Sequence, residues 1–384
     1  MIFPASAYLL GRGFLRLINN MQTPRKLLVL TVGYGEGHNT AARALAAAAQ
    51  EKGWTVEVVD ACAASSPRLF SITQKFYQFC VKSAPWMWAI TYAQTETADW
   101  STKATAPILR RVTQYIKELI QSFQPDAVLC TYPLYGYMID YLRRTGAVHV
   151  PYGMVVTDAL EISRPWMLTN ADVVYLPDEH SLRLVQERFA ISPAKLAAPG
   201  FPVKPDFCGR RSLTAPPTKH DIRIVYGAYA PLPRVKADIA MLLRWLPGAH
   251  ITLLAGSRYR ALKTLACARV SVLKRTDKMV SLFENCHLYI GKAGAATVFE
   301  AYAMALPVII NYALPGQEQG NLQLLQKDGV GISVASTAEL QCAVSGILDN
   351  NAAVWFRMKQ LMMALNRSNG ASRIIDDFER RFFV

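Results

Sequence analysis

The sequence predicts an α/β protein of two Rossmann-like doubly wound domains facing each other across a cleft. Three observations carry this expectation. Apolar, β-branched runs alternate with helix-patterned stretches almost from end to end. The alternation breaks between Pro199 and Lys219, in a stretch that ends basic and rich in Pro, Ser and Thr, and then restarts. The 384 residues exceed what one compact core holds and suit two α/β domains.

In the first half, strands are expected at Lys26–Val32, Thr55–Val59, Ala127–Cys130, Tyr152–Val156 and Val173–Leu176, because buried parallel strands read as continuous Val/Ile/Leu runs. Helices are expected at Thr40–Lys52, Phe70–Lys82, Thr105–Phe123 and Tyr135–Arg144. The second half offers strands at Ile222–Tyr226, Ile251–Ala255, Val270–Leu273, Leu288–Gly291 and Pro307–Asn311. Its helices are expected at Lys236–Leu246, Met279–Asn285, Thr297–Ala305, Leu322–Lys327 and Thr337–Leu348. The resulting division is 26–205 for the first domain, 206–219 for the linker and 220–350 for the second domain. Residues 351–384 are helical with no strand to serve, and are expected to pack back towards the first domain.

Residues 1–25 form an apolar segment broken by Gly11, Arg12, Gly13 and Arg16. Its basic residues follow the apolar run, the reverse of a signal peptide. A stretch of about 20 apolar residues, as a bilayer span needs, occurs nowhere in the chain. An amphipathic interfacial segment and a core-packing helix both fit the pattern.

Lys and Arg total 42 against 28 Asp and Glu, a net charge of +14. That balance suits an anionic membrane surface or phosphorylated substrates. Without a Lys/Arg block, an aromatic RNA-binding motif or zinc-finger spacing, nucleic acid is not expected as a partner. The seven cysteines are scattered and form no C-x-x-C pair, so they read as reduced, buried small hydrophobes of a cytosolic protein.

Chemistry concentrates at three places. Gly33-Tyr34-Gly35-Glu36-Gly37-His38 follows the first strand and precedes an alanine-rich helix, which places His38 at the strand mouth where ligands bind in open α/β sheets. A helix N-terminus disfavours a cation, so the imidazole is expected neutral and able to accept a proton. In the second domain, Gly291-Lys292-Ala293-Gly294-Ala295-Ala296-Thr297-Val298-Phe299-Glu300 also joins a strand to a helix. Its small residues let backbone N–H groups approach a diphosphate, with Thr297 as hydroxyl donor and Glu300 placed for a ribose diol. A capping box, with Thr297 as N-cap and Glu300 reaching back, fits the same spacing. Pro315-Gly316-Gln317-Glu318-Gln319-Gly320-Asn321 then gathers amides and a carboxylate suited to sugar hydroxyls, or forms an ordinary polar loop.

Together these segments resemble the glycosyltransferase family of monogalactosyldiacylglycerol synthases and processive diacylglycerol glucosyltransferases, with the peptidoglycan N-acetylglucosaminyltransferase as a distant relation. Gly37-His38-Asn39-Thr40-Ala41-Ala42 matches its G-H-x-x-A-A, Lys292 to Ala301 its K-A-G-x-x-T-x-x-E-A, and Pro315 to Asn321 its P-G-Q-E-x-G-N. Lesser matches are Val156-Thr157-Asp158, Pro177-Asp178-Glu179 and Gly200-Phe201-Pro202-Val203. The resemblance implies the GT-B fold, a lipid acceptor on the first domain, a UDP-hexose (glucose or galactose) on the second, and no metal or other cofactor. It implies that His38 removes the acceptor proton in one inverting displacement, and that Gly294 and Thr297 hold the donor diphosphate, with Lys292 also among the donor-binding residues. Asp158, at a strand end of the same domain as His38, is the candidate to orient or assist it, or else a helix or turn cap. Glu300 would hold the ribose, and Gln317 and Glu318 the sugar, with Asn321 also among the donor-binding residues; Gly37 would lie on the acceptor side.

Three positions depart from the family pattern. The glycine-rich loop of the second domain is Tyr226-Gly227-Ala228-Tyr229-Ala230-Pro231, an H-P pair is Tyr132-Pro133, and H-P-x-W is Ser163-Arg164-Pro165-Trp166. Between the first strands lies an aromatic, basic stretch running from Phe70 to Trp100. Trp86, Trp88 and Trp166 are expected on a lipid-acceptor surface, since tryptophan favours the headgroup zone. The expected product is a β-glycosyl lipid from diacylglycerol, made by a peripheral, monotopic enzyme on the cytoplasmic face of the cell membrane. The rival expectations are an N-acetylglucosamine transferase, a UDP-N-acetylglucosamine 2-epimerase, which needs no lipid surface, and a non-catalytic sugar-nucleotide or lipid sensor.

Overall fold

A computed structural model of the chain describes residues 24–97, 107–316, 318–367 and 369–383. The apolar segment up to residue 23, Trp100 and Gln317 lie outside the described residues.

Each half of the chain forms one six-stranded parallel sheet covered by helices on both faces, which is why its strands read as unbroken apolar runs. The first sheet contains β1 (Lys26–Thr31), β2 (Thr55–Asp60), β3 (Ala127–Cys130), β4 (Tyr152–Val155), β5 (Val173–Tyr175) and β6 (Leu196–Ala197), in the order β2-β1-β3-β4-β5-β6. The second contains β7 (Ile222–Gly227), β8 (Ala249–Leu254), β9 (Val270–Leu273), β10 (Leu288–Lys292), β11 (Val308–Tyr312) and β12 (Gly331–Ser333), in the order β12-β11-β10-β7-β8-β9. The winding direction reverses between β1 and β3, and between β7 and β10. Those two gaps, at the carboxyl ends of the strands, are where open α/β sheets leave room for ligands.

Strand order and most boundaries follow the apolar runs, with informative exceptions. The two-residue β6 and three-residue β12 are too short to carry a pattern. The helix expected from Thr40 starts at Glu36, because Gly35 is extended (φ −142°) and takes the N-cap position itself. The helix Pro85–Thr97 was not expected: it is apolar on every side and shows no 3.6-residue period. Four cysteines, Cys62, Cys80, Cys130 and Cys286, are buried as expected, whereas Cys267 and Cys342 are exposed; all seven are free thiols.

The domains share apolar surface. Ala41, Leu160 and Phe201 of the first half pack in one cluster with Val298, Phe299 and Tyr302 of the second. The rings of Phe201 and Phe299 stack at 4.6 Å with 2° between their planes. Gly320 is where backbones meet: a Cβ there would stand 1.8 Å from the Ala159 carbonyl oxygen. Within 206–219, buried Ser212 bonds the backbone oxygens of Met304 and Ala305, which staples this segment to the second domain.

The helix Thr337–Leu365 bends at Asp349–Ala352, and after left-handed Asn366 the chain crosses back to the first domain. There Gly370–Phe382 lays Ala371, Ile374, Ile375 and Phe378 on a core that also contains Leu27, Val29, Ala42 and Leu45. Glu379 pairs with Arg25 and, at 3.0 Å, with Lys52. The crossing is tight, since a Cβ on Gly370 would lie 2.2 Å from the Phe201 carbonyl oxygen.

Candidate active site

His38 is the third residue of the helix Glu36–Glu51, held at the gap between β1 and β3. Its Nδ1 lies 3.0 Å from the Thr157 hydroxyl at the end of β4. The Tyr132 ring meets the imidazole edge-on at 5.5 Å, and Trp166 lies 6.3 Å away. Burial pushes the His38 pKa down to about 4, with the Thr131 backbone as the opposing contact. The ring is therefore neutral at pH 7, as expected, but loss of water around it is the leading cause rather than the helix terminus.

Asp158 follows Thr157 and does not orient the histidine in the way expected; the Thr157 hydroxyl takes that nitrogen. The Asp158 carboxylate instead accepts from Trp166 Nε1–H at 2.9 Å. Burial raises the Asp158 pKa to about 6; the Trp166 bond opposes this, and Glu318 and Glu96 add to it. Trp166 is 1% exposed, so it lies beneath His38 and Asp158 and off the outer surface of the protein. Its indole is committed to that carboxylate, which removes the polar tip an interfacial tryptophan would place in water.

Across the cleft, β10 ends at Lys292 and the helix Ala295–Ala303 begins. Gly294 is the N-cap and Thr297 the third helical residue, so the capping-box alternative does not hold. Lys292 Nζ pairs with Glu318 Oε1 at 2.5 Å and lies 5.2 Å from the Tyr229 ring centre. Burial works against the Lys292 charge, but Glu318 and Tyr229 more than offset it and hold the pKa above the ordinary lysine value. The other Glu318 oxygen accepts from Leu314 N–H at 2.9 Å, which fixes the sugar-type loop. Asn321 donates to the Ala293 carbonyl at 3.0 Å, while its own Oδ1 is buried without a protein partner. Glu300 is 8% exposed, and burial raises its pKa to about 7 against the pull of Lys204 and Arg43.

These groups line one space. A cavity of about 110 Å³ has His38, Asp158 and Gly37 on the first-domain side and Lys292, Gly294 and Thr297 on the other. Glu318 and Asn321 also line it, whereas Glu300 does not. A Cβ on Gly37 would meet nothing within 4 Å, so the backbone there borders open space. A second cavity of about 280 Å³ adjoins the first, sharing Gly35, His38, Tyr77 and Asp158. Its walls are mostly rings, among them Tyr34, Phe76, Trp88, Tyr92, Tyr132 and Trp166. Trp88 thus lines a cavity, and Trp86 is 65% exposed. Trp86, Ile90, Ile72, Phe76 and Phe79 are exposed apolar residues of the paired helices Pro67–Ser83 and Pro85–Thr97. Thr157, Tyr77 and Tyr229 carried no role in the sequence reading. Only the place of Thr157, beside a strand-end aspartate, pointed to it.

Two doubly wound sheets with facing switch points define the GT-B fold class. The comparisons narrow the class. The monogalactosyldiacylglycerol (MGDG) synthase family matches residues 38–203, and the glycosyltransferase family 28 C-terminal domain matches residues 250–371. The first half thus carries an MGDG synthase family domain and the second a glycosyltransferase family 28 C-terminal domain. The processive diacylglycerol beta-glucosyltransferase of Bacillus subtilis (strain 168) is 24% identical over 371 residues, covering 93% of this chain and 95% of the relative. Acinetobacter baumannii MurG superposes with a TM-score of 0.60 at 16% identity, over 93% of this chain and 100% of that one. The UDP-GlcNAc 2-epimerase of Neisseria meningitidis gives 0.58 at 11% identity, over 92% and 100%, so the fold alone does not separate transfer from epimerisation.

Proposed function

We propose that this enzyme moves a glucose or galactose from a UDP-sugar to a lipid hydroxyl, with diacylglycerol as the best-supported acceptor, and inverts the anomeric centre to give a β-glycosyl lipid. The observation that carries this reading is the pair of adjoining cavities. One joins His38 to the diphosphate cradle, and the other is a ring-lined chamber on the acceptor side. An epimerase acts on its sugar nucleotide alone and has no use for the second chamber. A processive diacylglycerol glucosyltransferase is the named activity of a relative that matches nearly end to end.

In this mechanism the acceptor oxygen attacks the anomeric carbon as the bond to the UDP oxygen breaks. The acceptor proton passes to a ring nitrogen of neutral His38, which is steadied through Thr157. The diphosphate brings negative charge into the cleft and raises the proton affinity of His38. Ionised Asp158 acts in the same direction. Backbone N–H groups at Gly294 to Thr297, the Thr297 hydroxyl and Lys292 receive the charge that develops on UDP, so the proposal needs no metal. Glu300 takes the ribose, and the Glu318 to Asn321 turn, with Gln317, takes the hexose.

The same proposal places the enzyme on the cytoplasmic membrane surface. Among the described residues no helix is long and apolar enough to cross a membrane. The exposed apolar residues of Pro67–Ser83 and Pro85–Thr97, flanked by Arg68 and Lys75, form a face that fits an anionic bilayer. The test is a panel of labelled UDP-sugars with diacylglycerol liposomes, using the wild type and His38→Ala in the presence of EDTA. Labelled glycolipid from the wild type and a fall of roughly 10² or more in the variant are expected. Sugar released without lipid, or undiminished turnover by His38→Ala, overturns the mechanism.

A further inference from the structure

Tyr77 holds a position that the reaction just described leaves unused. Of the helix Pro67–Ser83 it alone lines both cavities, whereas Thr73 and Phe76 line only the ring-walled one. Its ring is fixed by neighbouring rings, edge-on to Trp88 at 4.7 Å and tilted against Tyr34 at 6.0 Å. The hydroxyl lies 3.7 Å from where a Cβ on Gly35 would stand, beside the turn that delivers His38. No protein hydrogen bond is made by that hydroxyl among the described residues. Its charged neighbours are Lys292 and Glu318 of the second domain, together with Asp158. Burial keeps the phenol protonated, pushing its pKa up to about 12, so it remains a hydrogen-bond donor at neutral pH.

A rigidly held donor with no protein partner, reaching across a cleft towards the residues of the sugar loop, is placed for a ligand oxygen. We propose that the Tyr77 hydroxyl donates to a hydroxyl oxygen of the hexose on the sugar nucleotide, so that the acceptor domain itself helps to bind the donor. This rests on the UDP-sugar reading above. The phosphates are served by Gly294 to Thr297 with Lys292, while Glu318, which Tyr77 also faces, belongs to the sugar loop.

Tyr77→Phe keeps the ring and its contacts and removes only the oxygen. Calorimetric binding of UDP, UDP-glucose and UDP-galactose to the full chain, without acceptor, isolates the effect. UDP should bind Tyr77→Phe and the wild type equally, while at least one UDP-hexose should bind the variant about 3- to 10-fold more weakly, the usual worth of one neutral hydrogen bond. Equal weakening of UDP and UDP-hexose would mark a structural role and overturn the proposal. Unchanged UDP-hexose binding, with or without a raised KM for the lipid, would overturn it as well. A wild-type chain that binds UDP but no UDP-hexose removes the donor reading itself and this inference with it.

Discussion

Asp158→Asn should make the protein more stable and less active. The native carboxyl titrates near 6 against 3.8 for an unperturbed aspartate, a rise of about 2 units. At 1.36 kcal/mol per unit, ionised Asp158 costs the folded state about 3 kcal/mol at neutral pH. Asparagine has the same shape, keeps an oxygen for Trp166 Nε1–H and carries no charge. The sign follows from proton counting. Between pH 4 and 6 the folded protein holds a proton that the unfolded chain has released, so wild-type stability falls across that window. The advantage of the variant should be absent near pH 3.5, grow through the window and level off above pH 6.5. In thermal unfolding it amounts to a rise of roughly 5 °C at pH 7.5. Parallel assays of glycosyl transfer should show kcat lowered by about 10²-fold. A lower melting temperature at pH 7.5, or a gain of the same size at pH 3.5 and 7.5, would refute the account of Asp158 as a desolvated carboxylate.

Other perturbations give equally specific outcomes. Gly320→Ala forces a methyl group into the Ala159 carbonyl and should lower the melting temperature and raise the KM for the sugar nucleotide together, since the domains must shift apart. Lys292→Met leaves the Glu318 carboxylate buried without its counter-ion; chemical denaturation should show a loss of about 3–5 kcal/mol, and adding Glu318→Gln should restore much of it. Phe378→Ala removes a 2%-exposed ring from beneath the first sheet and should cost about 3–5 kcal/mol, with protease nicking first in the domain of residues 26–205. Replacing Phe79 and Trp86 by Ser should weaken flotation with anionic vesicles while UDP-sugar binding in solution stays unchanged; undiminished flotation would remove that face from the membrane reading.

How far the sequence could be read depended on which force placed each residue. The strands were legible because a parallel strand covered on both faces must be continuously apolar, as Leu27 to Leu30 are. His38 and Gly294 were legible because a ligand loop must follow a strand and open a helix. The burial of Trp166 was not legible, because a tryptophan beside basic and aromatic neighbours looks the same whether its indole faces outward or bonds a buried carboxylate. Only the fold, by bringing Asp158 to it, separates the two. Thr157 and Tyr77 were illegible for a related reason. Their importance lies in what they face from other elements, His38 for the one and Lys292 for the other, and no local spacing records that. The low pKa of His38 was anticipated in sign but not in cause, since helix termini can be read from a sequence and water exclusion cannot.

The return of Gly370–Phe382 to the first domain also bears on how the molecule is made. During synthesis residues 26–205 leave the ribosome long before the helix that covers Leu27, Val29 and Leu45. Until that helix arrives, an apolar face of the nascent first domain has no cover. The packing of the first half is completed only when Gly370–Phe382 has been made, after the whole second domain. A chain that stops before Gly370 lacks the cover for Leu27, Val29 and Leu45, so its first domain leaves an apolar face open to solvent.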